Sequence, residues 1–198
     1  MIENQYRIFK ASNKFVLTAN MVIYTLLFGV LGTAYLSQKY WQDSNIENFS
    51  IIIGVLTAVA AIILAFAGLF TRKTLRGKLE GILVLKEDSV IIDNRKIDIS
   101  DIGKIDFIVG DYLDRLESGF RGDFNPKRSN GIYNYCKIEL SNGEKINIQF
   151  QLLNKNDFDR NRDCMISYYK KGKITFMKLI HILNIEGYER IQEFKSSL

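Results

Sequence analysis

The chain has 198 residues, 47% hydrophobic and 25% charged, with a net charge of +5. That length allows one ordinary domain, or a smaller domain with a membrane anchor, and the single proline excludes a proline-rich linker. Two cysteines, Cys136 and Cys164, and one histidine, His181, exclude a disulfide framework and offer no Cys/His spacing for a metal site.

Charge is segregated along the chain. Residues 1–14 form a basic segment with Arg7, Lys10 and Lys14. Residues 15–36 (FVLTANMVIYTLLFGVLGTAYL) and 49–70 (FSIIIGVLTAVAAIILAFAGLF) are two uncharged runs of 22 residues each. As helices each reaches roughly 33 Å, enough for a hydrocarbon core of about 30 Å. A transmembrane helical hairpin over 15–70 is therefore expected, with an external loop at 37–48. That loop carries Lys39 against Asp43 and Glu47, whereas Arg72, Lys73, Arg76 and Lys78 follow the second run. The bias of Lys and Arg places both termini in the cytoplasm, and Tyr40 and Trp41 suit the opposite interface.

In the second run Gly54, Thr57, Ala58, Ala61, Ala65 and Gly68 recur at helical spacing and predict a small-residue packing seam. Gly29 and Thr33 offer a matching pair in the first run. Asn20 is the one strongly polar side chain in either span, suited to an interhelical bond or to headgroups. Nothing in the spans reads as a transport path, for they hold no carboxylate and no arginine.

From residue 78 the period changes to two. Strands are expected at 79–86, 89–93, 96–99, 104–112, 133–140 and 145–152, with turns at Glu87-Asp88, Asn94-Arg95 and Ser141-Asn142-Gly143-Glu144. From about residue 157 the pattern is helical, with a stop at Gly172, a cap at Thr175 and a further helix over 187–195. Strands followed by helices give an α+β class, with residues 78–198 as the cytoplasmic domain.

"LEGILVLKEDSVIIDNRKIDISDIGKIDF" resembles the first half of bacterial PH-like (pleckstrin-homology-like) domains, and "YCKIELSNGEKINIQFQ" resembles their final hairpin before a plugging helix. The resemblance implies a small β-barrel of about six or seven antiparallel strands with C-terminal helices. Two membrane helices ahead of such a domain is a known bacterial arrangement. The same outline is shared by two-span, β-rich effectors of bacterial antiphage systems, whose barrel senses a cyclic nucleotide.

Catalytic motifs are absent: the sequence has no phosphate loop, GxGxxG, GxSxG or HExxH. Asp111, Asp114, Glu117 and Asp123 read as a solvated acidic face, and Lys170, Lys171 and Lys173 as basic residues at a helix end. Seven of the 27 basic residues flank the apolar runs and the others mix with acids, so the positive charge points to membrane lipids and not to nucleic acid.

The stretch "FRGDFNPKRSNGIYN" at 120–134 contains Arg-Gly-Asp, an adhesion signal only outside a cell, and here expected inside. It sits in a long inter-strand connection, with Phe120 and Phe124 bracketing the glycine. Arg121, Asp123, Phe124, Lys127 and Arg128 are candidates to bind a ligand or partner; equally, the aromatics would close one end of the barrel.

The sequence thus leads to a multi-pass protein of the bacterial cytoplasmic (inner) membrane with no cofactor. Its expected work is non-catalytic: a binding or scaffold module for a protein, peptide or lipid headgroup, with a protein partner or a second copy meeting the membrane helices. The alternative is a sensor-effector that binds a small anionic ligand such as a cyclic nucleotide, and oligomerises in or disrupts the membrane.

Overall fold

The computed structural model describes residues 5–13, 15–37, 39, 44–118 and 123–198, apart from the side chains of 44, 46 and 47. The chain divides into two compact units. One comprises Met1–Ser12, Gly77–Arg115 and Asn130–Leu198, and the other Asn13–Arg76 and Leu116–Ser129.

The first unit is built on a seven-stranded antiparallel sheet. Its strands are β1 (Gln5–Ala11), β2 (Gly77–Leu85), β3 (Ser89–Ile92), β4 (Arg95–Asp98), β5 (Ile102–Ile108), β8 (Asn134–Leu140) and β9 (Lys145–Phe150). Their spatial order is β4-β3-β2-β1-β9-β8-β5. Between β5 and β8 in sequence lie β6 (Leu113–Leu116) and β7 (Arg128–Asn130), which pair as a separate ribbon crossed by the division between the units. Alternation sets the inner face: Cys136, Ile138 and Leu140 of β8 are buried while Lys137 and Glu139 are exposed.

One helix closes the core. Helix α3 (Arg162–Lys170) buries Cys164, Met165 and Tyr168 among Leu83, Leu85, Ile105 and Ile138. The Tyr168 hydroxyl donates to Lys86 O at 2.7 Å and the Ser167 hydroxyl to Glu87 O at 3.0 Å, pinning α3 to the β2–β3 turn. Phe158, on the helical turn before α3, packs against Tyr6, Phe107 and Phe150. Gly172 ends α3 with φ 71°, a conformation that favours glycine. Helices α4 (Phe176–Ile182), capped by the Thr175 hydroxyl, and α5 (Tyr188–Ser196) complete the unit.

Two expectations are corrected. Residues 1–14 are not only a basic flank, because Gln5–Ala11 is the middle strand of the sheet, paired with both β2 and β9. Tyr6 and Ile8 supply its inward face, a pattern too short to stand out beside an apolar helix. Nor does the sheet close into a barrel. β4 is four residues long, and the helical turn at Ile99–Asp101 redirects the chain before any ladder to β5 forms. Instead Glu144 holds Arg95 through two hydrogen bonds of 2.7 and 3.0 Å, and Ser141 N donates to Asp101 O. The α+β class stands.

The second unit contains α1 (Ala19–Leu36) and α2 (Ser44–Gly68). Both are long and apolar enough to cross a membrane, and only 6% and 17% of their apolar windows are buried within the described residues. Helix α1 starts four residues later than expected, because the Thr18 hydroxyl caps it by accepting from Met21 N. The helices meet along one stripe each. On α1 it runs through Ile23, Leu27, Val30, Ala34 and Ser37, and on α2 through Ser50, Gly54, Thr57, Ala61, Leu64 and Gly68. Both keep the alternating four- and three-residue spacing of a coiled-coil seam. Thr33 and Ser50 bond through their hydroxyls at 3.2 Å.

Candidate functional site

The connection between β6 and β7 belongs to the unit that holds the two helices. Its described part begins at Glu117, resumes at residue 123, and touches the start of α1 and the end of α2. The Asn20 carboxamide donates to Asp123 Oδ1 at 3.0 Å and accepts from Phe124 N at 2.7 Å. Asn20 N, one of the amides left free by the first turn of α1, donates to Asn125 Oδ1 at 3.4 Å. Asp123 Oδ1 also receives Asn125 N at 3.1 Å, which tightens the turn before Pro126. The Phe124 ring tilts onto Tyr24, one helical turn further on, with centroids 6.0 Å apart.

At the other helix the polarity reverses. Lys127 N donates to Gly68 O at 2.8 Å, and the Arg128 guanidinium donates from Nε to Leu69 O at 2.9 Å. Arg128 N and O continue the contact with Thr71 O and Lys73 N. Lys73 forms an ion pair with Glu117. A carboxylate thus stands at the N-terminus of one helix and a guanidinium at the C-terminus of the other, each at the helix end whose dipole favours it. Gly68 is required here, since a Cβ would lie 2.9 Å from Asn125 O.

Asp123, Phe124, Lys127 and Arg128 are therefore brought together, with the Asp123 carboxylate, the Arg128 guanidinium and the backbone amides of Phe124 and Lys127 turned to helix ends. Arg121 and Phe120 lie outside the described residues, as do Lys14, Tyr40 and Trp41. Of the basic flank, Arg7, Lys10 and Lys78 are exposed on β1 and β2, with Lys10 beside Asp93 and Lys78 beside Glu80. Arg72, Lys73 and Arg76 follow α2 in the other unit. In the seam, Thr57 and Ala61 are buried, Gly54 faces Val30, and Ala65 is half-buried. Ala58 is exposed, and a Cβ on Gly29 would meet nothing within 4 Å, so both lie off the seam.

The role of Asn20 is half-visible in sequence, as a lone amide in an apolar run. Its partner, a hundred residues away, carries no sequence signal.

In the sheet unit the polar centre is Asn134, fully buried. Its Oδ1 accepts from Gly110 N and Asp111 N, both at 3.1 Å, and its Nδ2 donates to Asp111 O and Gly131 O, both at 2.9 Å. Asp111 in turn accepts from Tyr133 N, so this acid of the expected solvated cluster is an internal tie. Burial pushes both thiols up, that of Cys136 far above the ordinary range, which leaves neither a ready nucleophile. His181 is exposed on α4. Among the described residues no three His, Cys, Asp or Glu side chains gather as a metal site. Two open surface depressions lie over the sheet unit, one at Arg95, Lys96 and Asn142 and one at Gln5, Arg7 and Ile82. No family model, curated protein or solved structure matches this chain.

Proposed function

We propose that this protein is a membrane-anchored, non-catalytic binding module with a PH-like cytoplasmic domain in a bacterial inner membrane. The observation that carries the anchoring is topological. The helical pair is inserted between β1 and β2, neighbouring central strands of one sheet. Those strands can pair only if both helix ends lie on the same side of a membrane. A two-helix crossing meets that requirement, and the charge bias names the side as cytoplasmic.

The PH-like reading is supported by the arrangement in which one run of strands, β4-β3-β2-β1, continues through β9-β8-β5, and by α3 over the core after the final hairpin. Folds of this sort serve many ligands, so the ligand class follows from experiment. The sensor-effector alternative relies on the small-residue seam of α2 for oligomerisation. Thr57 and Ala61 of that seam are already buried within the single chain.

The test compares the full chain with a version in which α1 and α2 are replaced by a short turn, using defined protein, peptide and anionic-lipid probes. The module reading expects the same probe to bind both versions, with only the full chain in the membrane fraction. Turnover of a bound probe, or the absence of binding to all three classes, contradicts it.

A further inference from the structure

We propose that residues 123–128 are a strap that fixes the relation between the start of α1 and the end of α2, so that a displacement of β7 is read by the helix pair. This concerns the regulation of the anchored module, and rests on the membrane reading only for its setting.

Within six residues the strap carries an acid, a ring and a guanidinium that engage both helices. Asp123 and Phe124 take up both sides of the Asn20 carboxamide, and Lys127 and Arg128 take up the carbonyls of Gly68 and Leu69. Asn20 and residues 123–128 are half-buried, so water replaces a bond released at either helix end only in part, and each bond that is kept contributes to holding the strap in place. Arg128 is also the first residue of β7. Strap and strand are one piece of chain, and moving β7 moves the guanidinium from Leu69. No residue of 123–128 is fully buried, and Phe124 on Tyr24 is a ring contact of the segment. A link made of a few polar bonds and little buried apolar area belongs to the low-stability end of a structure, where moving parts are found.

The experiment is amide exchange by mass spectrometry on the full chain in lipid nanodiscs. It compares wild type with Asn20→Ala, Asp123→Ala, their double variant, Asp123→Asn and Arg128→Ala. Loss of a charge-assisted bond corresponds to about tenfold faster exchange. Asn20→Ala and Asp123→Ala are each expected to produce that increase over residues 19–24. The double variant should fall short of the sum of the single ones, because both lose the shared Asn20–Asp123 bond, and Asp123→Asn, which keeps an acceptor oxygen but loses the charge, should fall between wild type and Asp123→Ala. Arg128→Ala should speed exchange over 66–73. Exchange over 134–140 should not change in any variant. Unchanged exchange at the helix ends overturns the strap, and so does simple additivity of the two single effects. A rise that includes 134–140 overturns it as well, because the contacts would then serve the fold at large. None of these readouts depends on a ligand, so failure of the strap is distinguishable from failure of the module reading.

Discussion

Ala11 of β1 lies opposite Gly77 of β2 as the last pair of their ladder, and both long apolar helices lie between these two residues in sequence. The backbone approach is close: a Cβ on Gly77 would run into Lys10 O and stand 2.6 Å from the Phe9 ring. Gly77→Ala should therefore lower stability by about 1–3 kcal/mol, the usual cost of overpacking, measured as a shift in the denaturation midpoint. A neutral result would mean that the ladder ends before this pair.

The same pairing predicts that the sheet unit can be released from the helices. Joining residue 11 to residue 77 through a two-residue Asn-Gly turn spans the gap a hairpin needs. This shortened chain should be soluble and show one cooperative unfolding transition. Residues 77–198 alone lack the strand between β2 and β9 and should aggregate or remain unfolded.

Asn134 is the position most sensitive to a small change. Truncation to Ala leaves Asp111 N and Asp111 O without this buried partner and takes one bond each from Gly110 N and from Gly131 O, which keeps Leu152 N, a loss on the order of 2–4 kcal/mol. Chemical denaturation of the shortened chain measures this directly. Asn134→Asp should be no better, since a carboxylate cannot donate to Asp111 O and Gly131 O.

Alkaline pH should unfold the sheet unit through Tyr6. Burial is the main cause that pushes its phenol from 10.0 up to about 12, with the Asn161 bond opposing it and Asp157 adding to it. Because the folded value is raised, the stabilisation is complete below pH 10 and is lost as pH climbs towards 12. Tyr168, also pushed up by burial, adds in the same sense. Tyr6→Phe should flatten the fall in stability across that window, followed by phenolate absorbance and circular dichroism together.

In the helix pair, Ala61 and Ala58 separate seam from surface. Ala61→Leu adds bulk where 8% of the residue is exposed and should destabilise the pair by about 1–3 kcal/mol. Ala58→Leu lies on the outer face and should change stability by less than about 0.5 kcal/mol. Thermal unfolding in a mild detergent distinguishes them.

What can be read in advance follows from the range of the interactions. The two apolar helices, the Ser141–Glu144 turn and the Gly172 stop are written in consecutive residues, and their positions follow from local pattern. β1 escapes because Tyr6, Ile8 and Phe9 make a strand only when β2 and β9 stand on either side. The barrel does not close because the Ile99–Asp101 turn, a local detail, decides whether β4 can reach β5. The turn chemistry of the candidate loop, Asn125-Pro126 between Asp123 and Arg128, is legible in the same local way. That its charges meet helix ends depends on tertiary pairing with Asn20 and Leu69, and no spacing in the sequence encodes that.

The most direct test of a membrane-crossing helix pair places single cysteines at Lys39 and at Lys86, with Cys136 and Cys164 replaced by Ala. Sealed membrane vesicles are then labelled with an impermeant maleimide before and after lysis. Lys39 follows α1, and Lys86 follows β2 in the sheet unit. The expected result is that one of the two positions reacts before lysis and the other only after it, with the protein retained in the membrane through an alkaline carbonate wash. Labelling of both positions in intact vesicles, or loss of the protein in the wash, would contradict a helix pair that crosses the bilayer and holds the sheet on one side.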